Sequence, residues 1–181
     1  MHREFHGHFN LDRPLAPAQR RYLLKFSGTR RMKWDVALLE DPIDLDDVAD
    51  PIRTAVGLPL GLEGAYYVND TSNYGLLDAN TPPTGQPGRH CFWVPNGSGT
   101  AIRWDGADKF DDADEWIAYL ITHFLAPWGY RVAGRVRYAL EDYRWSDQQQ
   151  NSIMLVERGT ITVTNNVVER EVMSVRPGRL L

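Results

Sequence analysis

Residues 111–129 carry the clearest hydrophobic pattern in the chain. Apolar side chains recur there with the 3.6-residue period of an amphipathic helix, at Trp116, Ile117, Leu120, Ile121, Phe124 and Leu125. The pattern predicts a single helix that ends at Pro127. Asp111 or Asp112 is expected to accept hydrogen bonds from the first-turn amides, and Glu115 has the spacing of a capping box.

Two segments alternate apolar and polar residues and are predicted to form half-buried strands. In residues 5–11, the apolar side is Phe5, Gly7, Phe9 and Leu11, and the polar side is His6, His8 and Asn10. In residues 130–142, the apolar side is Val132, Gly134, Val136 and Tyr138, and the other side is Arg131, Ala133, Arg135 and Arg137. The second strand is therefore expected to present arginines to solvent.

Other elements follow from turn and cap signals. Residues 13–29 predict a first helix, with Pro17 in its first turn, an apolar face of Tyr22, Leu23 and Phe26, and Gly28 at its end. Residues 29–42 fit either a short helix or a loop. Residues 90–106 predict a β-hairpin, because two apolar runs flank the sequence Pro-Asn-Gly-Ser-Gly.

Residues 43–90 predict a long irregular excursion, because Pro and Gly interrupt them repeatedly. A helical turn or two is expected at 46–57, a short strand at 63–70 and a loop at 78–90. A segment of this length either covers the core, serves as a lid or carries a docking surface.

The C-terminal region, residues 153–175, predicts two or three strands after a polar turn at 146–151. Turns are expected at 157–159 and at Asn165-Asn166, and the tail from 176 is expected to fray.

The order of elements predicts an α+β fold, an antiparallel sheet with two main helices on one face. Strand, helix, hairpin, helix and strand match the β-α-β-β-α-β order of a ferredoxin-like core, here with an extra C-terminal hairpin and a long irregular insertion. With 181 residues, the chain is predicted to be one domain spanning 1–181.

Composition narrows the function classes. A hydrophobic content of 43% with twenty aromatic residues is enough for a sizeable core, and the single cysteine, Cys91, rules out an internal disulfide and a cysteine-based zinc site. No signal segment or membrane span is recognisable, so a cytoplasmic protein is expected. No nucleotide-binding glycine motif occurs, so no cofactor is predicted.

Several residues invite a chemical interpretation, each with a plainer alternative. His6 and His8 share one face of their strand and are weak candidates for a metal site, or they are surface histidines. Cys91 could act with His123 as a nucleophile, although a small buried side chain is the simpler interpretation. Acidic residues between 105 and 115 could bind calcium, but their spacing does not match an EF-hand, and helix capping explains them.

Basic residues cluster between 20 and 33 and precede Trp34. Arg20, Arg21, Lys25, Arg30, Arg31 and Lys33 could follow a phosphate backbone, extended by the arginines of the second predicted strand. The net charge of −4 argues against a dominant nucleic-acid role. The alternative is a solvated helix face.

Six stretches of the chain resemble a group of small proteins from actinobacteria and their bacteriophages. They are HFNLDRPL, FSGTRRMK, VGLPLGLEGAYYV, FWVPNGSGTAIRWDGADKF, EWIAYLITHFLAPWGY and GRVRY, in this order, and RGTITVTNNVV is close to the ending G-x-I-x-V-x-x-N-x-V of that group. The group has no assigned activity, so the resemblance implies a phage or prophage setting and no catalytic residue.

Three functions remain open. The first is a small non-enzymatic binding protein, such as a phage-encoded modulator of a host protein, with the excursion as its docking surface. The second is a nucleic-acid-binding protein, and the third is an enzyme with His6, His8 or His90 in a cleft. The candidate binding residues are Arg30, Arg31, Lys33, Trp34, Tyr66, Tyr67 and Tyr74, and no catalytic residue is assigned.

Overall fold

A computed structural model of the chain describes residues 2–35, 37, 75–107, 109–146 and 151–177. In chain order, the elements of this part are β1 (Arg3–Leu11), α1 (Pro17–Gly28), β2 (Lys33–Trp34), β3 (Leu76–Asp78), β4 (Trp93–Pro95), β5 (Ala101–Trp104), α2 (Ala113–Leu120), β6 (Val132–Ser146), β7 (Asn151–Thr164) and β8 (Val167–Pro177). The predicted α+β class is confirmed.

Six strands form one sheet in the order β4-β5-β1-β6-β7-β8, and all neighbours are antiparallel. β2 and β3 pair separately, so part of the ambiguous segment 29–42 is a short strand. The predicted hairpin at 90–106 is confirmed as β4 and β5. No helix in the described ranges is long and apolar enough to cross a membrane.

Both helices pack on the same face of the sheet. Phe26 of α1 contacts Trp116 and Phe124 edge to face, with ring centroids 6.0 and 5.1 Å apart, and all three rings belong to the main core. On the sheet side, Phe9 packs on Trp93 at 5.2 Å. Because each aromatic side chain removes roughly 150–250 Å² from water, this cluster accounts for much of the apolar burial.

The predicted alternation of β1 and β6 is confirmed. Phe5, Phe9 and Leu11 are buried with Val132, Val136 and Tyr138. The residues between them lie on what we call the open face, the side of the sheet opposite the helices. It carries Glu4, His6, His8 and Asn10 of β1, Arg135 and Arg137 of β6, Thr160 and Thr162 of β7, and Glu169 and Glu171 of β8.

The helix predicted for 111–129 differs in two respects. Its α-helical part spans Ala113–Leu120 and continues as a π-helical turn over Ile121–Leu125, where the amide of Ala126 donates to the carbonyl of Ile121 at 2.8 Å. Pro127 has no amide hydrogen to donate, so a regular α-helical ladder cannot continue through it. The apolar stripe survives this change, since all six predicted core residues are buried.

The predicted side-chain cap of this helix is wrong. Asp112 is the N-cap residue but makes no side-chain cap hydrogen bond within the described part of the chain. Asp111 instead accepts a hydrogen bond from Nη2 of Arg3 at 2.6 Å. The charge-assisted bond to a buried arginine replaces the cap.

In the C-terminal region, the turn predicted at 157–159 is wrong, because β7 runs through it and pairs with β6 without interruption. The turn at Asn165-Asn166 is confirmed, and both residues have positive φ, 49° and 69°. Gly159 is required by close packing instead, since a Cβ there would lie 2.3 Å from the carbonyl oxygen of Glu171. The elements predicted for 46–57 and 63–70 lie outside the described residues, as do residues 147–150 of the turn predicted at 146–151. The tail was predicted to fray from 176, but β8 includes Arg176 and Pro177, and the rest of the tail lies outside the described residues.

Candidate functional site

A cleft of about 560 Å³ opens between the loop at 79–92 and the start of α2. Its walls combine basic groups, flat rings and carboxyl groups. The residues that matter for its chemistry are Arg30, Arg89, His90, Lys109, Phe92, Phe110, Trp116, Asp111 and Asp112. Six of these nine side chains are charged or titratable, so the cleft is polar and suits a charged ligand better than an apolar one.

The loop at 79–92 holds its position through polar contacts rather than regular structure. Its prolines and glycines favour turns. The amide of Arg31 donates to the carbonyl of Arg89 at 2.7 Å, and Nε2 of Gln86 donates to the hydroxyl of Tyr119 at 3.1 Å. At Gly88, a Cβ would lie 3.4 Å from Oδ2 of Asp112, so the loop backbone packs directly on the first turn of α2.

Among the described residues, no carboxylate neutralises the cationic side of the cleft. Arg30 donates to the carbonyl of Ala79 at 3.1 Å and to Oδ1 of Asn80 at 3.0 Å, and both acceptors are uncharged. In the described part of the chain, Arg89 and Lys109 form no side-chain hydrogen bond or ion pair. These positive charges are therefore available to a ligand.

One of the two carboxyl groups on the acidic side is already paired with an arginine, so the three basic side chains outnumber it. Asp111 is paired with Arg3, whose side chain is only 7% exposed. The pKa of Asp112 is raised by burial and by the nearby carboxylates of Glu115, Asp111 and Asp114. The cleft therefore favours an anion over a cation.

His90 brings an aromatic and titratable group to the cleft. Its ring stacks on Phe92, with centroids 5.5 Å apart and planes at 10°. Burial lowers the pKa of His90, and the charges of Arg30 and Arg89 lower it further. The imidazole is consequently neutral at neutral pH, with an acceptor nitrogen for a ligand or for a proton.

The four predicted binding residues that the structure describes do not form one surface. Arg30 lines the cleft, whereas Arg31 and Trp34 are 1% and 2% exposed. The guanidinium of Arg31 lies 4.5 Å from the ring centroid of Phe26, so it faces the core and offers nothing to a nucleic acid. Lys33 is half-buried in β2. Tyr66, Tyr67 and Tyr74 lie outside the described residues.

His6 and His8 do lie side by side on the open face, but their cross-strand neighbours are Arg137 and Arg135. Positive neighbours oppose a bound metal ion. Among the described residues, no group of three or more His, Cys, Asp or Glu side chains is arranged to hold a metal ion.

The interpretation of Cys91 as a small buried side chain is confirmed. The thiol is fully buried, and burial raises its pKa to about 12. Full burial and a raised pKa both suit a structural side chain rather than a nucleophile.

Sequence reasoning missed Arg89 and Lys109 as parts of a site. Both are single basic residues outside the basic cluster at 20–33. One available signal was the Pro- and Gly-rich loop that ends in Arg89 and His90, just before the aromatic pair at 92–93. Loops held against a rigid sheet often carry binding residues.

The described residues form an α+β fold with a cleft lined by basic, acidic and aromatic side chains. No protein-family model matches the chain, and neither the curated proteins nor the solved structures contain a significant match to it. The resemblance to the actinobacterial and phage proteins therefore stays a prediction.

Proposed function

We propose that this chain is a ligand-binding protein whose cleft takes a small anion that carries a flat ring. The observation that carries the proposal is the pair of unneutralised cations, Arg89 and Lys109, beside the stacked rings of His90 and Phe92. A nucleoside phosphate has both required parts, a phosphate for the cations and a base for the rings.

Each part of such a ligand has a counterpart in the cleft. Arginine and lysine form charge-assisted hydrogen bonds to phosphate, which are roughly twice as strong as neutral ones. A base can lie against the rings, where stacking contributes about 1–3 kcal/mol. The carboxyl group of Asp112 can accept a hydrogen bond from an amino group of the base.

Binding of an anion has a consequence for His90. An anion close to Arg30 and Arg89 offsets their repulsion of the imidazolium and raises the pKa of His90 from its lowered value. The complex therefore takes up protons as pH falls below neutrality, and affinity increases in that direction.

The proposal is tested by isothermal titration calorimetry with inorganic phosphate, adenosine, adenosine monophosphate and guanosine monophosphate. We expect a nucleoside monophosphate to bind more tightly than phosphate or adenosine alone. Arg89→Met and Lys109→Met should each weaken binding about tenfold or more, because each removes a charged contact of roughly 1.5–3 kcal/mol.

Arg21→Met is the matched control, since Arg21 is exposed on α1, away from the cleft. It should bind like the wild type. Failure of every compound to bind, or equal weakening by all three substitutions, would contradict the proposal.

We also propose that the β1-α1-β4-β5-α2-β6 portion is a ferredoxin-like core. The antiparallel order β4-β5-β1-β6 and the two helices on one face support this assignment. A host protein as partner, in a phage setting, is a separate proposal that rests on the sequence resemblance alone, because most of its predicted docking segment lies outside the described residues.

A further inference from the structure

We propose that the open face joins two copies of this chain into a symmetric dimer, a role independent of the cleft. The proposal rests on how charge is distributed over this face. Two rows of residues cross the strands from β1 to β8, and each row runs from basic to acidic.

The rows follow from the strand register. The first contains His6, Arg137, Thr160 and Glu171, and the second contains His8, Arg135, Thr162 and Glu169. β6 therefore contributes a strip of two arginines. β8 contributes a strip of two glutamates at the same positions along the strand direction. Threonines of β7 lie between them.

Within one chain, these opposite charges do not meet. β6 and β8 are two strand spacings apart, about 9–10 Å. All four charged residues are exposed, and none forms an ion pair within the described ranges. The face thus presents these four charges, together with Glu141 of β6, Arg158 of β7 and Arg176 of β8, without an ion pair among the described residues.

A two-fold axis that runs along β7, between two stacked sheets, pairs the arginines of β6 with the glutamates of β8, whereas Arg158 of β7 faces the same residue of the second copy. This rotation leaves the position of each residue along the strand direction unchanged and reverses the order of the strands across the sheet. Arg137 of one copy then faces Glu171 of the second copy, and Arg135 faces Glu169. Both pairs occur twice because the contact is isologous.

Exposed apolar side chains also lie on the open face, at separate heights along its strands. Tyr143 and Trp145 lie on the open face of β6, beyond the end of β1, and are 52% and 65% exposed. Met173 is 68% exposed, and its sulfur lies 3.7 Å from the hydroxyl of Thr160, which places it on the same face. Exposed apolar groups near a charged strip are typical of an interface.

The face is large enough for a stable contact. With the axis on β7, the overlapping strands are β6, β7 and β8, which at about 4.8 Å spacing and eleven residues of about 3.3 Å each span roughly 14 by 36 Å, or roughly 500 Å² per partner, close to the ~1,000 Å² in total that a specific interface needs. Aligned sheets also pack face to face at about 10 Å, a distance that arginine and glutamate side chains bridge together.

The test is a charge exchange followed by sedimentation velocity over a range of concentrations. The wild type should dimerise, and added salt should weaken the dimer. Arg135→Glu/Arg137→Glu makes the face acidic, and Glu169→Arg/Glu171→Arg makes it basic. Each variant alone should show a dissociation constant raised by about 100-fold or more, because like charges then face each other.

Mixing the two variants in equal amounts should restore a dimer, since the acidic face of one matches the basic face of the other. Arg21→Glu/Lys25→Glu, which applies the same charge change to the exposed side of α1, is the control and should dimerise like the wild type. Circular dichroism verifies that each variant is folded.

Three results would overturn the proposal. The first is a wild type that stays monomeric at every concentration. The second is a dimer that survives both exchanges, which would place the contact on another surface. The third is a mixture that stays monomeric. A monomer that binds single-stranded RNA through Arg135 and Arg137 would assign the basic strip to nucleic acid instead.

Discussion

Asp112 occupies the N-cap position of α2 without using its side chain as a cap. It lies among Asp111, Asp114 and Glu115, and burial together with these carboxylates raises its pKa above the ordinary value of 3.8. Two of the neighbours are held by arginines, Asp111 by Arg3 and Asp114 by Arg170 at 2.9 Å. Asp112 lies at the edge of the cleft, and its surroundings disfavour the ionised form of its carboxyl group.

We predict that Asp112→Asn raises the melting temperature at neutral pH. A raised pKa means that the folded chain binds the proton more tightly than the unfolded chain, so ionisation of Asp112 opposes folding at higher pH. The gain from the amide should be absent well below pH 3.8 and should grow as pH rises through the raised pKa. Asparagine is as good an N-cap residue as aspartate, so the helix start is unchanged.

Thermal unfolding of both proteins at several pH values provides the measurement. A lower melting temperature for Asp112→Asn at neutral pH would show that attraction to the positive helix end outweighs burial and repulsion at this position.

α2 organises the core because its apolar stripe stays continuous through the π-helical turn. Leu120, the last residue of the α-helical part, is 1% exposed. Leu120→Ala should lower the free energy of unfolding by about 2–5 kcal/mol, through lost burial and the cavity left behind. Urea denaturation measures the change, and an unaltered free energy would remove the organising role from this helix.

The turn between β7 and β8 is stabilised by one side chain rather than by turn geometry alone. Oδ1 of Asn166 accepts the amide of Val132 at 2.6 Å, and its Nδ2 donates to the carbonyl of Tyr130 at 3.0 Å. The turn thereby secures the start of β6, where the chain leaves the helix layer.

We predict that Asn166→Gly lowers the free energy of unfolding by about 1–3 kcal/mol. Asn-Gly is a favoured pair for a tight hairpin turn with positive φ, so the backbone gains while the two hydrogen bonds are lost. Asn165→Gly, in which φ is also positive but no side-chain bond is lost, should stay within about 0.5 kcal/mol of the wild type. Equal stability of both variants in urea titrations would refute the role of the Asn166 side chain.

In the whole molecule, the cleft is assembled from positions far apart in the chain. Arg30 follows α1, Arg89 and His90 end a loop, and Lys109 precedes α2. They meet because β1 lies between β5 and β6 in the sheet. The segment after α1 and the segment before α2 therefore end on the same side of the sheet. The open face arises likewise, since its charged rows combine four strands from both ends of the chain.

The sequence by itself determined which side of β1, β6 and α2 is buried. The alternation in β1 and β6 and the stripe of α2 were predicted correctly, because burial follows the polarity of each side chain and the local period of the backbone. The turn at Asn165-Asn166 was also predicted correctly, because turn formation depends on neighbouring residues. The turn at 157–159 was predicted wrongly. A glycine is needed at 159 because Tyr138 and Glu171 leave no room for a Cβ, and the chain does not change direction there.

Only the tertiary structure decided which residues share a site. Arg31 and Trp34 resembled surface residues in a basic stretch, yet packing on Phe26 and in a small cluster with Met32 buries them. Lys109 and Arg89 carried no sequence signal as a pair, and the match of Arg137 with Glu171 depends on two strand registers at once. Local patterns reflect the polarity of one element, whereas these arrangements depend on long-range pairing between elements.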